Sequence, residues 1–303
     1  MQKKIHFSWE RPLTAYFKGI GSIRFFINLR ILFIIPLFLF AAQGAFAGER
    51  DKPLWEIGLV GIGGYIPDYP SSNEDRVKGI VLPYLVYRGK IIRAGDKGIA
   101  RGRIIRSDRV EFDLSLDGSF DTDSDDNLAR RGMPDLDYLF EVGPRLQVTL
   151  TDHFWGGKVD LEIPARGVMA TDFSSLSFKG AVLYPQLAWQ QDNLWGTGTR
   201  FKISAGPIFA TEKFMDYFFE VEPRFATPER PAFNAQGGYL GSEMRLSAIR
   251  KIRADLSILG DVKINFYDGS QNDNSPLFRD ESSISIRAGL LWAPFRSKQK
   301  VSE

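Results

Sequence analysis

The most regular run in the sequence is Val110-Glu-Phe-Asp-Leu-Ser-Leu-Asp-Gly-Ser-Phe120, in which polar residues alternate with apolar residues or glycine. Successive side chains of a β-strand point to opposite faces, so this pattern predicts a strand with one apolar face and one wet face. A second alternating run covers residues 140–150. Two such strands cannot bury their apolar faces alone, so the rest of the chain must supply more strands of the same kind.

Strand-length runs recur between turn signals along the chain, and no helical period is evident after residue 47. The sequence predicts twelve strands, with ten or eleven also compatible, near residues 54–66, 77–87, 90–105, 110–120, 140–150, 159–163, 178–190, 201–205, 214–221, 239–248, 252–266 and 283–295. This pattern indicates an all-β fold. The alternatives are a soluble sandwich or barrel and an antiparallel transmembrane β-barrel.

Three features favour the transmembrane barrel. Many runs reach the ~9–11 residues that a tilted spanning strand needs. Their polar faces carry charges, as a water-filled lumen permits. By the same alternation, Ile258 should face lipid and Ser257 should face the lumen. Aromatic residues near strand ends suit the girdles at membrane interfaces, although a soluble core is the alternative for them: Trp55, Tyr84, Tyr87, Trp155, Trp189, Trp292 and Phe295.

The first 47 residues have the pattern of a cleaved signal peptide. A basic segment precedes the apolar core at 31–40, and Ala45-Phe-Ala47 matches the small-x-small pattern that a signal peptidase reads. The apolar core is shorter than the ~20 residues of a spanning helix. The predicted organisation is a signal peptide at 1–47 and a barrel domain at 48–303, with strands at about 54–295 and a short polar tail at 296–303.

We expect the mature N-terminus to be Gly48, because Ala47 is the last small residue of the cleavage pattern. N-terminal sequencing of the membrane-extracted protein measures this directly. Retention of residues 1–47 in membranes would contradict the assignment.

Charge and cysteine content exclude several classes of function. The net charge is +2, but residues 1–47 carry six basic residues and one acid, so the remaining 33 basic and 36 acidic residues leave −3. This balance argues against nucleic-acid binding by the mature part. The chain has no cysteine, which excludes disulfides, cysteine nucleophiles and cysteine-based metal sites.

The sequence shows no catalytic or metal-binding set, and we predict no enzyme, no cofactor and no metal. The only histidine after residue 47 is His153, in a segment typical of a tight turn. Asp121, Asp123 and Asp125 are spaced like the start of a calcium loop. However, Asp126 occupies the position that needs glycine, and Gly132 occupies the position that needs glutamate.

The charged loop at 122–136 is the best candidate for binding a partner or lining the lumen or rim. Counting strands back from the C-terminus places it on the periplasmic side, where a long loop suits a docking surface. One miscounted strand would move it outside or into the lumen. Its candidate residues are Asp123, Asp125, Asp126, Arg130, Arg131, Asp135 and, next to them, Asp137.

Several motifs together resemble the MipA/OmpV family. The longest are Val110–Gly118, the run from Asp123 to Asp137, and Glu141-Val-Gly-Pro144. Shorter ones are Trp55-Glu-Ile-Gly58 and Gly237-Gly-Tyr-Leu-Gly-Ser242. One departure is that the aromatic Phe295, which commonly ends such barrels, is followed here by eight further residues.

The resemblance implies a non-enzymatic barrel in the outer membrane of a Gram-negative cell envelope. Its expected partners are outer-membrane lipid and, as for the best-known family member, a periplasmic lytic transglycosylase and a murein synthase, between which it acts as a peptidoglycan-associated scaffold. Other members are described as adhesins or are tied to the envelope response to antibiotics. The rival functions are a narrow channel for small solutes, an adhesin or envelope-stress barrel, and a hydrolase that uses His153.

Overall fold

The computed structural model of the protein describes residues 51–88, 93–94, 103–107 and 109–302. The predicted signal peptide and much of the predicted strand at 90–105 lie outside these residues. The described part contains one α-helix, α1 (Glu212–Phe219), and a 3-10 turn at Pro223–Phe225. Its strands are β1 (Asp51–Pro53), β2 (Trp55–Pro67), β3 (Asp75–Arg88), β4 (Arg93–Ala94), β5 (Arg103–Arg106), β6 (Val110–Ser119), β7 (Tyr138–Phe154), β8 (Gly157–Thr171), β9 (Leu176–Leu183), β10 (Gln186–Leu194), β11 (Thr199–Ala210), β12 (Gly238–Arg253), β13 (Leu256–Phe266), β14 (Ser282–Arg296) and β15 (Lys300–Ser302).

The main sheet is antiparallel throughout and runs in the order β4-β3-β2-β14-β13-β12-β11-β10-β8-β7-β6-β5. Strands β9 and β10 both lie between β8 and β11 and are separated only by residues 184–185. They are two halves of one spanning strand, which makes twelve strand positions in the described part of this sheet. The all-β class and the count of about twelve strands are therefore confirmed.

The sheet curls into a barrel. Lys78 on β3 donates through Nζ to the Asp121 carbonyl oxygen at 2.5 Å and to Thr122 Oγ1 at 2.6 Å. Both acceptors directly follow β6, close to the opposite end of the sheet order. Arg76 reaches the same loop and pairs with Asp126 at 3.0 Å. Side chains of β3 therefore meet the loop that follows β6.

The two faces of the strands differ as the alternation predicts. On β3, Val77, Val81 and Leu85 point outward and are 83%, 66% and 56% exposed, whereas Val86 is fully buried on the inner side. On β6, Asp113 points inward and is 1% exposed. The outer surface is apolar and the inner surface carries most of the charge, which is the arrangement that a lipid bilayer and a polar lumen require.

The predicted strand at 214–221 is wrong, because this segment forms helix α1. Its buried residues Phe214, Met215, Phe218 and Phe219 are spaced i, i+1, i+4 and i+5, which is one face of a helix. Thr211 precedes the helix in an extended conformation, and Glu212 places an acid in the first turn, where the helix dipole favours it. The expectation that no helix follows residue 47 fails for the same reason.

The connections at the two ends of the barrel differ in length. Short turns at 155–156, 195–198 and 254–255 lie at the end where β2 begins and β14 ends. Longer connections at 68–74, 120–137, 211–237 and 267–281 lie at the other end. Because α1 belongs to one long connection, the strand count behind the periplasmic assignment of 122–136 was wrong by one. The predicted boundary between the strands at 239–248 and 252–266 is also wrong, since residues 249–253 belong to β12.

We expect a cysteine at Leu128 to be labelled on intact cells by a membrane-impermeant maleimide. Outer-membrane barrels keep short turns and termini in the periplasm and long loops outside, and Leu128 is 69% exposed at the long-loop end. Ser124 is unsuitable because it is fully buried. The control is a cysteine at the exposed Asp152 of the short-turn end, which should react only after permeabilisation. The reverse labelling pattern would place the long-loop end in the periplasm and contradict this orientation.

The predicted polar tail takes part in the fold. Residues 300–302 of β15 pair with residues 51–53 of β1 in a separate two-stranded sheet. Backbone bonds from Leu54 to Gln299 at 2.8 Å and from Ser297 to Trp55 at 2.9 Å join this sheet to the β2–β14 pair. We call the resulting structure the terminal ribbon, residues 51–54 and 297–302.

Candidate functional site

Helix α1 lies over the long-loop mouth of the barrel and is anchored on β9. The Thr211 hydroxyl accepts the Ala181 N–H at 2.9 Å, and the Thr211 N–H donates to the Ala181 carbonyl at 3.0 Å. Gly180 has φ +107°, and a Cβ there would come within 2.8 Å of the Phe214 nitrogen. Only glycine allows both this backbone conformation and this close approach.

The helix and three connections form an apolar layer that we call the cap: α1 with residues 68–74, 120–137 and 267–281. Phe219 and Met215 are fully buried, and Leu277 from the β13–β14 connection is fully buried against them. Tyr69 and Leu136 join the same cluster from the other two connections. The cap therefore covers the lumen at this end with packed side chains.

The cap is fastened through the last carbonyls of α1, which have no partner inside the helix. Arg130 donates to the Phe218 carbonyl at 3.3 Å, and the Ser275 hydroxyl donates to the Phe219 carbonyl at 2.7 Å. The Asp137 N–H donates to the Tyr217 hydroxyl at 2.7 Å. Arg130 is 3% exposed, and burial lowers its pKa to about 10, so it stays cationic at neutral pH.

The acids of the 122–136 loop shape its own backbone instead of pairing with its arginines. Asp123 accepts the Asp125 N–H at 2.9 Å, Asp125 accepts the Gly132 N–H at 3.1 Å, and Asp135 accepts the Ser124 N–H at 2.7 Å. Within the described ranges, no group of three or more histidine, aspartate or glutamate residues could hold a metal ion.

The two remaining charged candidates of this loop reach other parts of the chain. Asp126 pairs with Arg76 of β3 at 3.0 Å. The exposed Arg131 offers its carbonyl to Arg230 at 3.1 Å. The predicted candidates therefore lie together as one surface loop whose single deeply buried charge, Arg130, holds α1.

Ion pairs cross-link the barrel wall inside the lumen. Arg145 on β7 lies directly opposite Asp113 on β6 and binds its carboxylate through two nitrogens, Nε at 2.9 Å. Arg145 also lies 3.8 Å from Glu162, which pairs with Lys202 at 2.8 Å. The side chains of Asp113, Arg145 and Glu162 are at most 5% exposed. This chain of charges links four strand positions, β6, β7, β8 and β11.

A second set of charges crosses the lumen from wall to wall. Arg245 on β12 lies 3.2 Å from Asp117 on β6, although these strands are not neighbours in the sheet. Arg166 on β8 joins Asp117 at 3.5 Å and Glu141 at 3.1 Å. Asp261 on β13 accepts from Arg245 and from Arg287 on β14. We call the three acids and three arginines the ionic belt: Asp117, Glu141, Asp261, Arg166, Arg245 and Arg287.

The belt lines two cavities in the lumen. A cavity of about 130 Å³ lies under the cap and is lined by Phe214 and Phe218 of α1. A larger cavity of about 410 Å³ reaches toward the short-turn end, where Tyr84 and Leu291 line it. Asp117, Glu141 and Arg287 line both cavities. Among the described residues, packed side chains and ion pairs thus occupy part of the lumen.

The comparisons with known proteins follow this geometry. The family model described as MltA-interacting protein MipA matches residues 59–293. The chain belongs to the MipA family. A solved structure titled "NanC porin structure in rhombohedral crystal form" is 11% identical, with 78% of this chain and 99% of that chain covered and a TM-score of 0.35. No curated protein matches the chain.

MipA-family membership and the apolar outer face together make this protein an outer-membrane barrel. In the part that the structure describes, no helix is long and apolar enough to span a membrane. His153, the residue that a barrel hydrolase would need, lies exposed beside the β7–β8 turn.

The aromatic candidates of this MipA-family chain gather at one end of the barrel. Tyr87, Trp292 and Phe295 are 42%, 46% and 66% exposed, and Trp155 is 85% exposed in the β7–β8 turn. Trp55 and Trp189 lie at the same short-turn end. The assignment of Tyr84 to the membrane interface is wrong, because it points inward, is 8% exposed and packs with Val86 and Ala293. Lipid contact of the other six stays a prediction.

We expect Asp216→Asn to stabilise the barrel at neutral pH but not in acid. Burial, followed by Glu220 and Glu212 on the same helix face, raises the pKa of Asp216 to about 6. Because the pKa in the folded state lies above the unfolded value of about 3.9, protonation of the Asp216 carboxyl favours folding. The contribution of protonated Asp216 to the free energy of unfolding is full below about pH 4 and is lost as pH rises through 6. Since Asp216 is largely solvated, the gain near pH 7.5 should be on the order of 1 kcal/mol.

The measurement for Asp216 is the Tm of the wild-type and variant barrels near pH 4 and pH 7.5. Glu220→Gln is the companion variant, because it removes one cause of the raised pKa and should shrink the difference. An equal Tm difference between wild type and Asp216→Asn at both pH values would contradict the prediction.

Reasoning from the sequence missed the buried roles of several residues. The sequence predicts Arg130 only as a candidate for a partner, the lumen or the rim, yet it is 3% exposed against α1. Arg145 falls on the polar parity of its strand, and Arg166 and Arg245 are not among the predicted candidates. The usable signal was the alternation itself, which puts Asp113 and Arg145 on the inward parity of adjacent strands. The pairing of Arg245 with Asp117 across the lumen has no such signal.

Proposed function

We propose that this protein is a non-enzymatic outer-membrane scaffold that holds a lytic transglycosylase and a murein synthase at its periplasmic end. The proposal rests on the match to a family whose description is MltA-interacting protein. The cap and the ionic belt support a structural role, because they fix loops and strands in place. Removal of residues 1–47 on export is part of the proposal and rests on the signal-peptide pattern of the sequence.

The terminal ribbon is the surface that best suits a periplasmic partner. It extends the β2–β14 pair by four residues beyond Trp55, or about 13 Å at strand rise. It lies at the end with the short turns, which faces the periplasm in outer-membrane barrels. We propose that a partner segment docks on this ribbon through backbone hydrogen bonds.

The test is co-purification from detergent-solubilised envelopes, with bound lytic transglycosylase quantified by mass spectrometry. Full-length protein should retain the enzyme, and a chain ending at Ser297 should lose it. Val301→Pro is the milder variant, because it removes one backbone donor from β15 without shortening the chain. The control is Leu128→Asp at the opposite end, which should bind as wild type does. Heat-modified mobility in electrophoresis shows whether each variant is folded.

Two results would overturn this proposal. Full-length protein that retains no transglycosylase removes the scaffold role altogether. Equal retention by the ribbon variants and the full-length protein removes the ribbon as the docking surface. A stable ionic conductance of the wild-type barrel in planar bilayers would favour the channel instead, since it requires a continuous aqueous path past the belt and the cap.

A further inference from the structure

From Ile80 to Val86, strand β3 is apolar on both of its faces, which is unusual for a barrel whose lumen is polar. Val81 and Leu85 point outward and are more than half exposed. Ile80, Leu82 and Tyr84 point inward and line the larger cavity. Inward positions of outer-membrane strands normally carry polar residues, because they meet water. The inward residues of β3 therefore mark a place where the lumen is adapted to something other than water.

The apolar side chains form a continuous wall on neighbouring strands. Inward residues of β2, β14 and β13 extend the patch from β3, and the wall includes Val60, Ile62, Ile80, Leu82, Leu259 and Leu291. This wall and part of the ionic belt line the cavity of about 410 Å³. This volume falls within the range of small-molecule sites, about 300–1,000 Å³, which are likewise lined mainly by apolar groups with a few placed polar ones.

The cavity lining also contains charged side chains, four of them basic and three acidic. Its acids are Asp117, Glu141 and Asp261, and its bases are Arg200, Lys202, Arg245 and Arg287. The side chains of Arg200 and Arg245 are 32% and 30% exposed. Those of Asp117, Glu141 and Asp261 are 23%, 14% and 14% exposed. Arg200 and Arg245 are thus the most exposed of the seven charged side chains in the lining.

We propose that this cavity binds an amphipathic anion with a single alkyl chain. The chain lies along the apolar wall, and the anionic head meets Arg200 and Arg245. From Tyr84 to Ile80 the wall extends about 13 Å at strand rise, which suits a chain of medium length. A wholly polar solute would make no apolar contacts with the wall. A neutral alkyl chain would form no charged contact with Arg200 or Arg245. This proposal is independent of the scaffold role.

The experiment uses the full-length barrel in lipid nanodiscs, with dansylundecanoic acid as the fluorescent probe. Leu82→Trp fills the cavity while keeping the wall apolar, so the affinity for the probe should fall by about tenfold or more. Val81→Trp is the matched control, because it is the adjacent residue and points outward. It should bind within about twofold of wild type. Ile80→Phe is the second cavity-filling variant if Leu82→Trp does not fold.

Competition between the probe and unlabelled chains tests which head-group charge the site prefers. Decanoate should displace the probe from wild type, whereas decyltrimethylammonium should displace it poorly. Arg200→Gln should weaken decanoate more than decanol, since only decanoate carries the charge that Arg200 meets. Equal binding by wild type and both cavity-filling variants would place the probe in the bilayer and overturn the site. Equal displacement by the cationic and anionic chains would overturn the anion preference, and no binding by wild type up to the solubility limit would remove the proposal.

Discussion

Arg145→Ala should destabilise the barrel by about 3–5 kcal/mol, because it leaves a carboxylate buried without its main counter-charge. Arg145 binds both oxygens of Asp113, and the two side chains are 5% and 1% exposed. In water a lone carboxylate is well solvated, but at 1% exposure solvent cannot replace the lost guanidinium. The cost falls on the folded barrel alone, since both groups are hydrated in the unfolded chain.

The measurement is the free energy of unfolding from urea titrations in lipid vesicles, read by tryptophan fluorescence. The double variant Asp113→Ala/Arg145→Ala should lose less than the sum of the two single losses, because each single variant already removes the same ion pair. Arg200→Ala is the control, since its partner Asp192 is 63% exposed and such a solvated pair is worth about 0–1 kcal/mol. A cost at Arg145 no larger than that at Arg200 would show that water reaches the pair.

Arginine in place of Val262 should cost about 2–4 kcal/mol, the range for a basic residue on the lipid face near the bilayer midplane. Val262 lies in the middle of β13, and its register partners are Leu246 on β12 and Ile286 on β14. All three belong to the outward parity of their strands. A guanidinium there is surrounded by apolar side chains and hydrocarbon on every side.

The matched control is Ser247→Arg, which lies opposite Asp261 in the register of β12 and β13. Ser247 lines the larger cavity, so the new guanidinium has space and an acid beside it, and we expect little loss. Both variants are compared by folding titration in the same vesicles. A similar loss at both positions would contradict the assignment of the inner and outer faces.

The barrel class was predictable because burial on one face forces a strict two-residue period. In β6, Asp113, Ser115 and Asp117 alternate with Phe112, Leu114 and Leu116, and the structure keeps these two sets on opposite faces. The boundaries were less predictable. Beyond Ile163 of β8, few apolar side chains occupy the outward positions, so the sequence no longer alternates clearly. The backbone ladder with β7 nevertheless continues to Thr171.

Other features depend on tertiary contacts that leave little pattern in a single sequence. Phe214 and Phe218 have helical spacing, but the run of aromatic residues also suits a strand, and only packing against the loops selects the helix. Tyr84 lies near a strand end, yet the inward parity of β3 brings it to Val86 and Ala293. The predicted strand at 90–105 appears in the described residues as two separate strands, β4 and β5, which pair with different neighbours.

The pairing of β2 with β14 has a consequence for the order in which the chain becomes folded. Phe295 pairs with Ile57, so ring closure joins segments from nearly opposite ends of the sequence. Contacts of such long separation make folding slow, because the loop-closure entropy is lost before the contact forms. Until β14 has been exported and has paired with β2, β2 has an unpaired edge, which favours aggregation. A polypeptide truncated before Ser282 would leave two permanent open edges, so incomplete translation products should be degraded in the periplasm before they can be inserted.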